Sequence, residues 1–449
     1  MKCIEDEIPF EVPEGWVWCR LSQIIILYSG QDLETSRYND NSIGIPYITG
    51  ASNFEDGRII INRWTNSPTT HATIGDLLLT CKGSGVGKMA WCNIEDAHIA
   101  RQIMALRCIN GLYKNYLEIV ILTFLSTIVS KANGLIPGLS RDVILNIMFP
   151  LPPIKEQIRI YHKCKEIITY TEQIDSDRKK IINIINITKS KILDLAVRGQ
   201  LVPQNPDDEP ASVLLERIRA EKEELIRHGK IKRDKTESVI FKGDDNSYYE
   251  TNYGDIKKCI DDEIIFKLPV GWSWCRMHQL FNITSSKRVL QSDWCNEGIP
   301  FYRAREIVKL SDNGYVDNDL FISLEHYKKI KEEYGIPQRG DLMVTGVGTI
   351  GKVYIVQKND KFYYKDASVL CFENRTGYVN SKFARYLIES DLIQNQIHSK
   401  TYGNTVDTIT ISIANKYMCV LPPINEQKRI VETIDVLFSY IDNIYTTIL

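Results

Sequence analysis

Leu151-Pro152-Pro153-Ile154-Lys155-Glu156-Gln157 returns later in the chain as Leu421-Pro422-Pro423-Ile424-Asn425-Glu426-Gln427. Working outward from this pair, further blocks recur in the same order. Lys2-Cys3-Ile4-Glu5-Asp6-Glu7 matches Lys258-Cys259-Ile260-Asp261-Asp262-Glu263. Gly15-Trp16-Val17-Trp18-Cys19-Arg20 matches Gly271-Trp272-Ser273-Trp274-Cys275-Arg276. Gly44-Ile45-Pro46-Tyr47 matches Gly298-Ile299-Pro300-Phe301, and Gly75-Asp76-Leu77 matches Gly340-Asp341-Leu342. A Gly-rich loop ending in Gly-Lys follows each Gly-Asp-Leu block, at Lys88 and Lys352. A repeat of this kind decides the fold before any local signal does. The chain reads as a tandem duplication, each half a mixed domain of about 150 residues followed by a helix. Between the shared blocks the halves diverge, as at 50–74 against 304–339, where the copies are expected to do different jobs.

Composition bounds the rest. The 449 residues imply roughly two to four domains. Hydrophobic residues at 43% and charged residues at 25% exclude disordered, collagen-like and disulfide-stapled classes. The 11 cysteines show no CxxC pair and no metal spacing, so reduced thiols and a cytoplasmic location are expected. Cys3/Cys259 and Cys19/Cys275 recur in register and read as scaffold packing positions. No secretory leader or membrane span is read. The formal charge of −2 excludes a strongly basic coat but not a local basic groove.

The domains read as mostly β, with a helix near each end at Tyr116–Ser130 and Lys382–Gln396. A longer helix then follows each domain. Ile430, Ile434, Leu437, Ile441, Ile444 and Ile448 alternate spacings of four and three, a coiled-coil seam. Ile160, Ile167, Ile174 and Ile181 are spaced in heptads, with Ile185 and Ile192 on the alternate seam. The two helices are expected to pack antiparallel, relating the repeats by a pseudo-two-fold. The bland alternative packs each stripe on its own domain. The distal helix would be about 38 Å long, on the order of 11 base pairs. Pro203 to Pro210 reads as an elbow, Ser212 as the cap of a short helix, and Lys232 to Gly254 as a polar linker.

Gly346-Val347-Gly348-Thr349-Ile350-Gly351-Lys352 has the GxxxxGK spacing of a phosphate-binding loop. A β-like run, Val353-Tyr354-Ile355-Val356, follows it where that loop needs Ser/Thr and a helix. The reading is therefore a tight turn between strands that presents backbone N–H groups and one lysine. No nucleophile elbow, metal motif or dinucleotide turn is found, so the chain reads as a binder. The Trp16/Trp18 and Trp272/Trp274 pairs read as scaffold core.

The pattern Gly-Trp…Gly-Asp-Leu…Gly-x-Gly-Lys…Leu-Pro-Pro-Ile-x-Glu-Gln, twice over, with Gly199-Gln200-Leu201-Val202-Pro203 after the first helix, resembles the specificity (S) subunit of type I restriction-modification systems. The resemblance covers essentially the whole chain, and no single block would suffice for it. It implies an α+β fold: two tandem mixed, mostly β target-recognition domains, separated by long helices that pack as an antiparallel coiled coil. The expected layout is 1–153 for the first recognition domain, 154–199 for the central helix and 200–254 for elbow, short helix and linker. The second recognition domain follows at 255–423 and the distal helix at 424–449. The resemblance also implies that each domain reads one half of a bipartite asymmetric site in double-stranded DNA. The helices set the spacing and dock two methyltransferase (M) subunits. Restriction (R) subunits join them, and S-adenosylmethionine, ATP and magnesium are used by those partners, with no cofactor in this chain and no catalysis by it. Alternatives are a duplicated protein-interaction scaffold, a stand-alone DNA-binding protein, or a stand-alone endonuclease or methyltransferase.

Base and phosphate contacts need donors and acceptors on exposed loops. Four matched regions qualify. They are Tyr47 and Thr49 with Tyr302, Arg303 and Arg305; Lys82, Ser84 and Lys88 with Thr345, Thr349 and Lys352; Arg101 and Gln102, aligned near Ala367-Ser368; and Lys131 and Asn133 with Lys400, Tyr402 and Asn404. On a strand Arg303 and Arg305 would share one face, and one of them is expected to read guanine. For each residue the competing reading is a solvated surface charge.

Overall fold

Val17–Arg20 pairs antiparallel with Met148–Leu151, Val17 opposite Leu151, so the two ends of the first domain are zipped together. Ser273–Arg276 and Met418–Leu421 do the same in the second domain, Ser273 opposite Leu421. Each closing strand runs into two prolines, which supply no ladder N–H. There the strand stops and a helix begins, at Ile154 and at Ile424. The computed structural model describes residues 5–448 except 56, 84, 131–137, 232, 234–236, 253–256 and 400–407. Two compact units result, Met1–Asp177 and Arg178–Leu449.

The repeat extends to topology. The first domain holds an antiparallel sheet in the order Ile25–Ser29, Ile103–Cys108, Leu77–Thr80, Met89–Trp91. The second domain repeats that order with Asn282–Ser285, Val369–Glu373, Leu342–Thr345 and Val353–Ile355. Each domain adds a four-stranded sheet containing one parallel pair, Ile45–Ile48 beside Ala97–Ile99 and Ile299–Tyr302 beside Tyr363–Tyr364. The Gly-Asp-Leu strand is the middle layer. Successive side chains on a strand face opposite ways. Leu77 and Leu79 accordingly pack with Tyr116, Leu117 and Ile121 of the helix Lys114–Ser130, while Leu78 packs with Ile48, Ala97 and Ile99 of the other sheet. Leu342 and Val344 against Met343 repeat this division.

The conserved-looking polar residues of the repeat turn out to be clamps inside this scaffold. Asp76, 1% exposed as a side chain, takes two hydrogen bonds of 2.8 Å from Arg107. Asp341 is likewise buried and forms an ion pair with Arg375 at 3.0 Å. Gln157 accepts from the Tyr113 N–H and donates to the Pro152 and Gly111 carbonyls. Gln427 accepts from the Asn380 N–H and donates to the Pro422 carbonyl. Each glutamine thereby rivets the start of its long helix to the domain it leaves.

The fold is mixed α+β, with the 44-residue helix Ile154–Val197 between two sheet-rich domains. Within the second unit the C-terminal part of this central helix packs against the distal helix Ile424–Ile448. Ile192, Leu193, Ala196 and Val197 share one core with Ile430, Val431 and Ile434. The helices run antiparallel. Lys189 pairs with Asp442 at 2.5 Å, whereas Gln204, just past the central helix, meets Glu426 near the start of the distal one. Ile185 is also buried, and Leu437 and Ile441 line the edge of the core. Ile160 packs at the edge of the first domain's core, whereas Ile167, Ile174, Ile181 and Ile444 are exposed and Ile448 is half-buried.

Several local expectations are corrected. The stretch expected as a polar linker carries Ser238–Lys242 and Tyr248–Asn252, which form a three-stranded meander with Lys257–Cys259. The short helix begins at Ala211, not after Ser212, because the Ala211 N–H is taken by the Gly271 carbonyl at 2.7 Å. The helix expected at Lys382–Gln396 is two, Ser381–Glu389 and Asp391–His398, broken at Ser390, whose hydroxyl donates to the Leu387 carbonyl. Trp272 and Trp274 are buried, but Trp16 and Trp18 are only half-buried. Cys275 is buried, yet Cys259 is exposed, so the latter is no packing position; Cys3 lies outside the described residues.

Candidate nucleic-acid interface

The divergent inserts both leave the sheet at the same place, the end of the Gly-Ile-Pro strand. In the first domain Ile45–Ile48 is followed by a 3-10 turn, Ala51–Asn53, and a small hairpin, Phe54–Glu55 with Arg58–Ile59. In the second, Ile299–Tyr302 is followed by the helices Ala304–Asn313 and Leu324–Tyr334. A shared scaffold thus presents different local structures.

Three of the matched regions meet beside those inserts. In the first domain Gln102 lies against Gly50, and Gly85 lies against Ala51. The turn after Thr49, the Gly-rich loop and the Arg101-Gln102 corner are therefore neighbours. Lys82 and Lys88 are exposed and have no ion-pair partner among the described residues. Arg101 is exposed and pairs with Asp32 at 2.6 Å. Thr49 is half-buried and donates to Asn53. Tyr47 is buried, and its hydroxyl accepts from the Leu33 N–H. Its ring packs on His98 and Tyr38, so its side chain is committed to the core.

In the second domain the Gly-rich loop spans two antiparallel strands, Leu342–Thr345 and Val353–Ile355. Gly346 bonds to the Ser368 carbonyl and accepts from the Ile409 N–H. Thr345 is buried and closes the turn, donating to the Thr349 carbonyl and accepting from the Lys352 N–H. Thr349 is exposed, and Lys352 pairs with Asp312 at 2.8 Å. Tyr302 is half-buried and stacks on Phe362, ring centroids 4.8 Å apart. Arg303 and Arg305 do not sit on a strand. The strand stops at Tyr302, and the Arg303 N–H is capped by Glu306, which opens a helix. Asp319 accepts from Arg303 at 2.6 Å and from Arg305 at 2.5 Å. Burial pushes the Glu306 carboxyl up, but its hydrogen bonds from Arg303 and Arg305 outweigh this and hold it below the usual range. Asp319 is held down chiefly by its hydrogen bond from Arg305. Ser84, Lys131, Asn133, Lys400, Tyr402 and Asn404 lie outside the described residues. The described flanks of the last two segments, Leu139 and Ile409, bond to Cys81 and Gly346 beside the Gly-rich loops.

The comparisons with known proteins fit this arrangement. A family model described as type I restriction modification DNA specificity domain matches residues 269–449, the second domain and its distal helix. The EcoAI type I restriction enzyme specificity subunit of Escherichia coli is 25% identical, over 97% of this chain and 79% of the relative. The EcoEI specificity subunit of the same species is 22% identical, over 99% and 81%. The chain is thus similar to type I restriction-modification specificity subunits over nearly its whole length. Among solved structures, a chain reported for assembly and conformational transition of the type I R-M system aligns with TM-score 0.63 at 16% identity, over 98% of this chain and 94% of that one. The HsdS subunit of Thermoanaerobacter tengcongensis aligns with TM-score 0.55 at 15% identity, over 99% and 94%. Both share the overall fold of this chain.

Two exposed cations escaped the sequence reading. Lys287 and Arg288 follow the strand Asn282–Ser285, and the Lys287 N–H donates to the Tyr363 hydroxyl at 2.7 Å. Ala367, in the third region, bonds to Ser285 of that strand. The Lys-Arg pair was the available signal, but no block of the repeat marks it. No group of three or more His, Cys, Asp or Glu side chains suited to a metal ion occurs among the described residues. No helix among them is long and apolar enough to cross a membrane.

Proposed function

We propose that this chain is the DNA sequence-specificity subunit of a type I restriction-modification system, each domain reading one half of a bipartite asymmetric site. One observation carries the reading: two copies of one scaffold place unlike inserts beside the same Gly-rich turn. A reader of an asymmetric site needs a constant frame and variable contacts, and the frame here is held by residues that recur while the inserts do not. Lys82, Lys88, Lys287, Arg288 and the backbone of the Gly-rich loops suit phosphate contacts. Arg303 and Arg305 suit guanine, the pairing in which a guanidinium donates to O6 and N7. Methylation and cleavage come from other subunits: two M subunits using S-adenosylmethionine, docked along the helices, and R subunits using ATP and magnesium. The helices fix the gap between half-sites.

The test replaces residues 1–150 with the first domain of another specificity subunit and maps methylated sites in the host genome. One half-site should change and the other persist. A change at both half-sites, or at neither, defeats the two-reader assignment.

A further inference from the structure

The strands that close the two domains differ at one facing pair of positions. In the first domain Cys19 stands opposite Phe149, which is fully buried. The Cys19 thiol donates to the Phe149 carbonyl at 3.6 Å. In the second domain Cys275 stands opposite Cys419. Their sulfurs are 3.5 Å apart, and the Cys419 thiol also lies 3.4 Å from the Cys275 carbonyl. Both residues are 0% exposed, in the core that holds Trp274, Met418 and Val420.

The register brings the two thiols within reach of a covalent bond. Two residues further along each strand, the Met277 N–H donates to the Tyr417 carbonyl at 2.9 Å. Cys275 and Cys419 therefore occupy a hydrogen-bonded site of the same ladder. Such a site sets the α-carbons about 5.5 Å apart, inside the range of roughly 4.4–6.8 Å that a disulfide spans. The side chains already point at each other, so a bond needs rotation of the side chains and no change of register. Packing alone does not select two facing thiols, because the other copy fills the same site with cysteine and phenylalanine.

We propose that Cys275 and Cys419 form a redox clasp, closed by a low-molecular-weight disulfide when the strands unzip and opened again by a thiol. One cysteine attacks the small disulfide, giving a mixed disulfide and releasing one small thiol. The other cysteine then attacks the mixed bond, and a second small thiol leaves. Two protein S–H groups are oxidised to one S–S bond, while the small disulfide is reduced to two thiols that take up the protons. In the closed strands the pair is protected. Burial excludes the oxidant and pushes the Cys275 thiol well above its usual range, so the attacking thiolate is scarce. Oxidation is therefore coupled to opening of the strands. Once formed, the bond ties together positions 144 residues apart and secures the strand that runs into the distal helix. The first domain, with Phe149 at the matching site, has no such lock.

The test incubates the full chain with oxidised glutathione, alkylates the remaining thiols and maps disulfides by mass spectrometry. Amide hydrogen exchange of the same samples follows the strands. We expect a peptide pair joining Cys275 to Cys419, formed faster in urea below the unfolding range. Exchange at Ser273–Arg276 and Met418–Leu421 should slow by about ten-fold or more. Exchange at Val17–Arg20 and Met148–Leu151 should stay as it was, and dithiothreitol should restore the original rates everywhere. Cys419→Ala should lose both the link and the slowing, with a thermal melt of the reduced variant checking its fold. Cys259→Ser, at an exposed thiol, should keep both. Reversal by dithiothreitol in the unaltered chain tests the clasp without any variant. The proposal is overturned if Cys275 and Cys419 stay unlinked while Cys259 takes up glutathione. It is equally overturned if the link forms without slowing exchange, or if the slowing survives Cys419→Ala.

Discussion

Arg20 and Arg276 hold the same place in the repeat but carry different loads. Arg20 pairs with Glu7, whereas Arg276 is nearly buried and pairs with both Glu263 and Glu250, each at 2.7 Å. Burial pushes both carboxyls up, but the hydrogen bonds of their partners prevail and hold each below its ordinary 4.5. Removing one partner of a buried pair leaves an uncompensated charge, a loss of about 3–5 kcal/mol. Arg276→Met should destabilise the second domain by that order in urea unfolding at pH 7. Because the folded values are depressed, the clamp stabilises fully above pH 4.5 and is lost as pH falls through the folded values. The variant should therefore lose much of the acid-side decline in stability, and an unchanged decline would contradict the clamp. Asp319 calls for a different measurement, since it is exposed and shields two candidate DNA-reading arginines. Asp319→Asn should raise DNA affinity of the assembled complex at low salt, and Arg305→Ala should lower it. The slope of log K against log salt should fall by about 0.9 if Arg305 neutralises a phosphate. An unchanged slope with altered site preference would place it on a base.

At the scale of elements, the scaffold was legible because clamps such as Asp76/Asp341 and Gln157/Gln427 occur twice. What the sequence hid lies where the copies differ or where a tertiary partner overrides a local signal. Val239-Ile240-Phe241 is a short β-prone run flanked by Lys, Asp and Asn, and its pairing with Tyr248–Asn252 is not visible locally. Arg303 and Arg305 looked like a strand face because the Gly-Ile-Pro strand precedes them, but the Arg303–Glu306 cap stops that strand. The elbow helix starts early because a carbonyl of another segment claims the Ala211 N–H. The long helices show the same limit: periodicity marks a seam but not how far its partner reaches. Ile434 is fully buried and Ile444 is 53% exposed. Ile434→Ala should destabilise the second unit by about 2–5 kcal/mol, while Ile444→Ala should stay within about 0.5 kcal/mol. Equal losses in thermal melts of the two variants would mean that the packing extends along the whole seam.

For the whole molecule, the charge of −2 is reconciled with DNA reading by the local pairing of cations. Arg101, Arg303, Arg305 and Lys352 each answer a carboxylate at the candidate surface, while Lys82 and Lys88 have none among the described residues. Such pairs hold side chains in place and penalise a wrong partner, which favours selectivity over blanket affinity. Spacing is the remaining variable, and the proposed function assigns it to the helices. A heptad preserves the phase of a 3.5-residue seam, so seven residues inserted after Ile185 and seven after Leu437 should leave the packing intact. Each helix would lengthen by about 10.5 Å, equivalent to about three base pairs. Genome methylation by the altered complex should show both half-sites unchanged and a gap longer by about that amount. Four residues in each helix instead would rotate the seam out of phase, and the complex should fail to assemble. An unaltered gap in an active heptad variant would show that something other than the helices sets the distance.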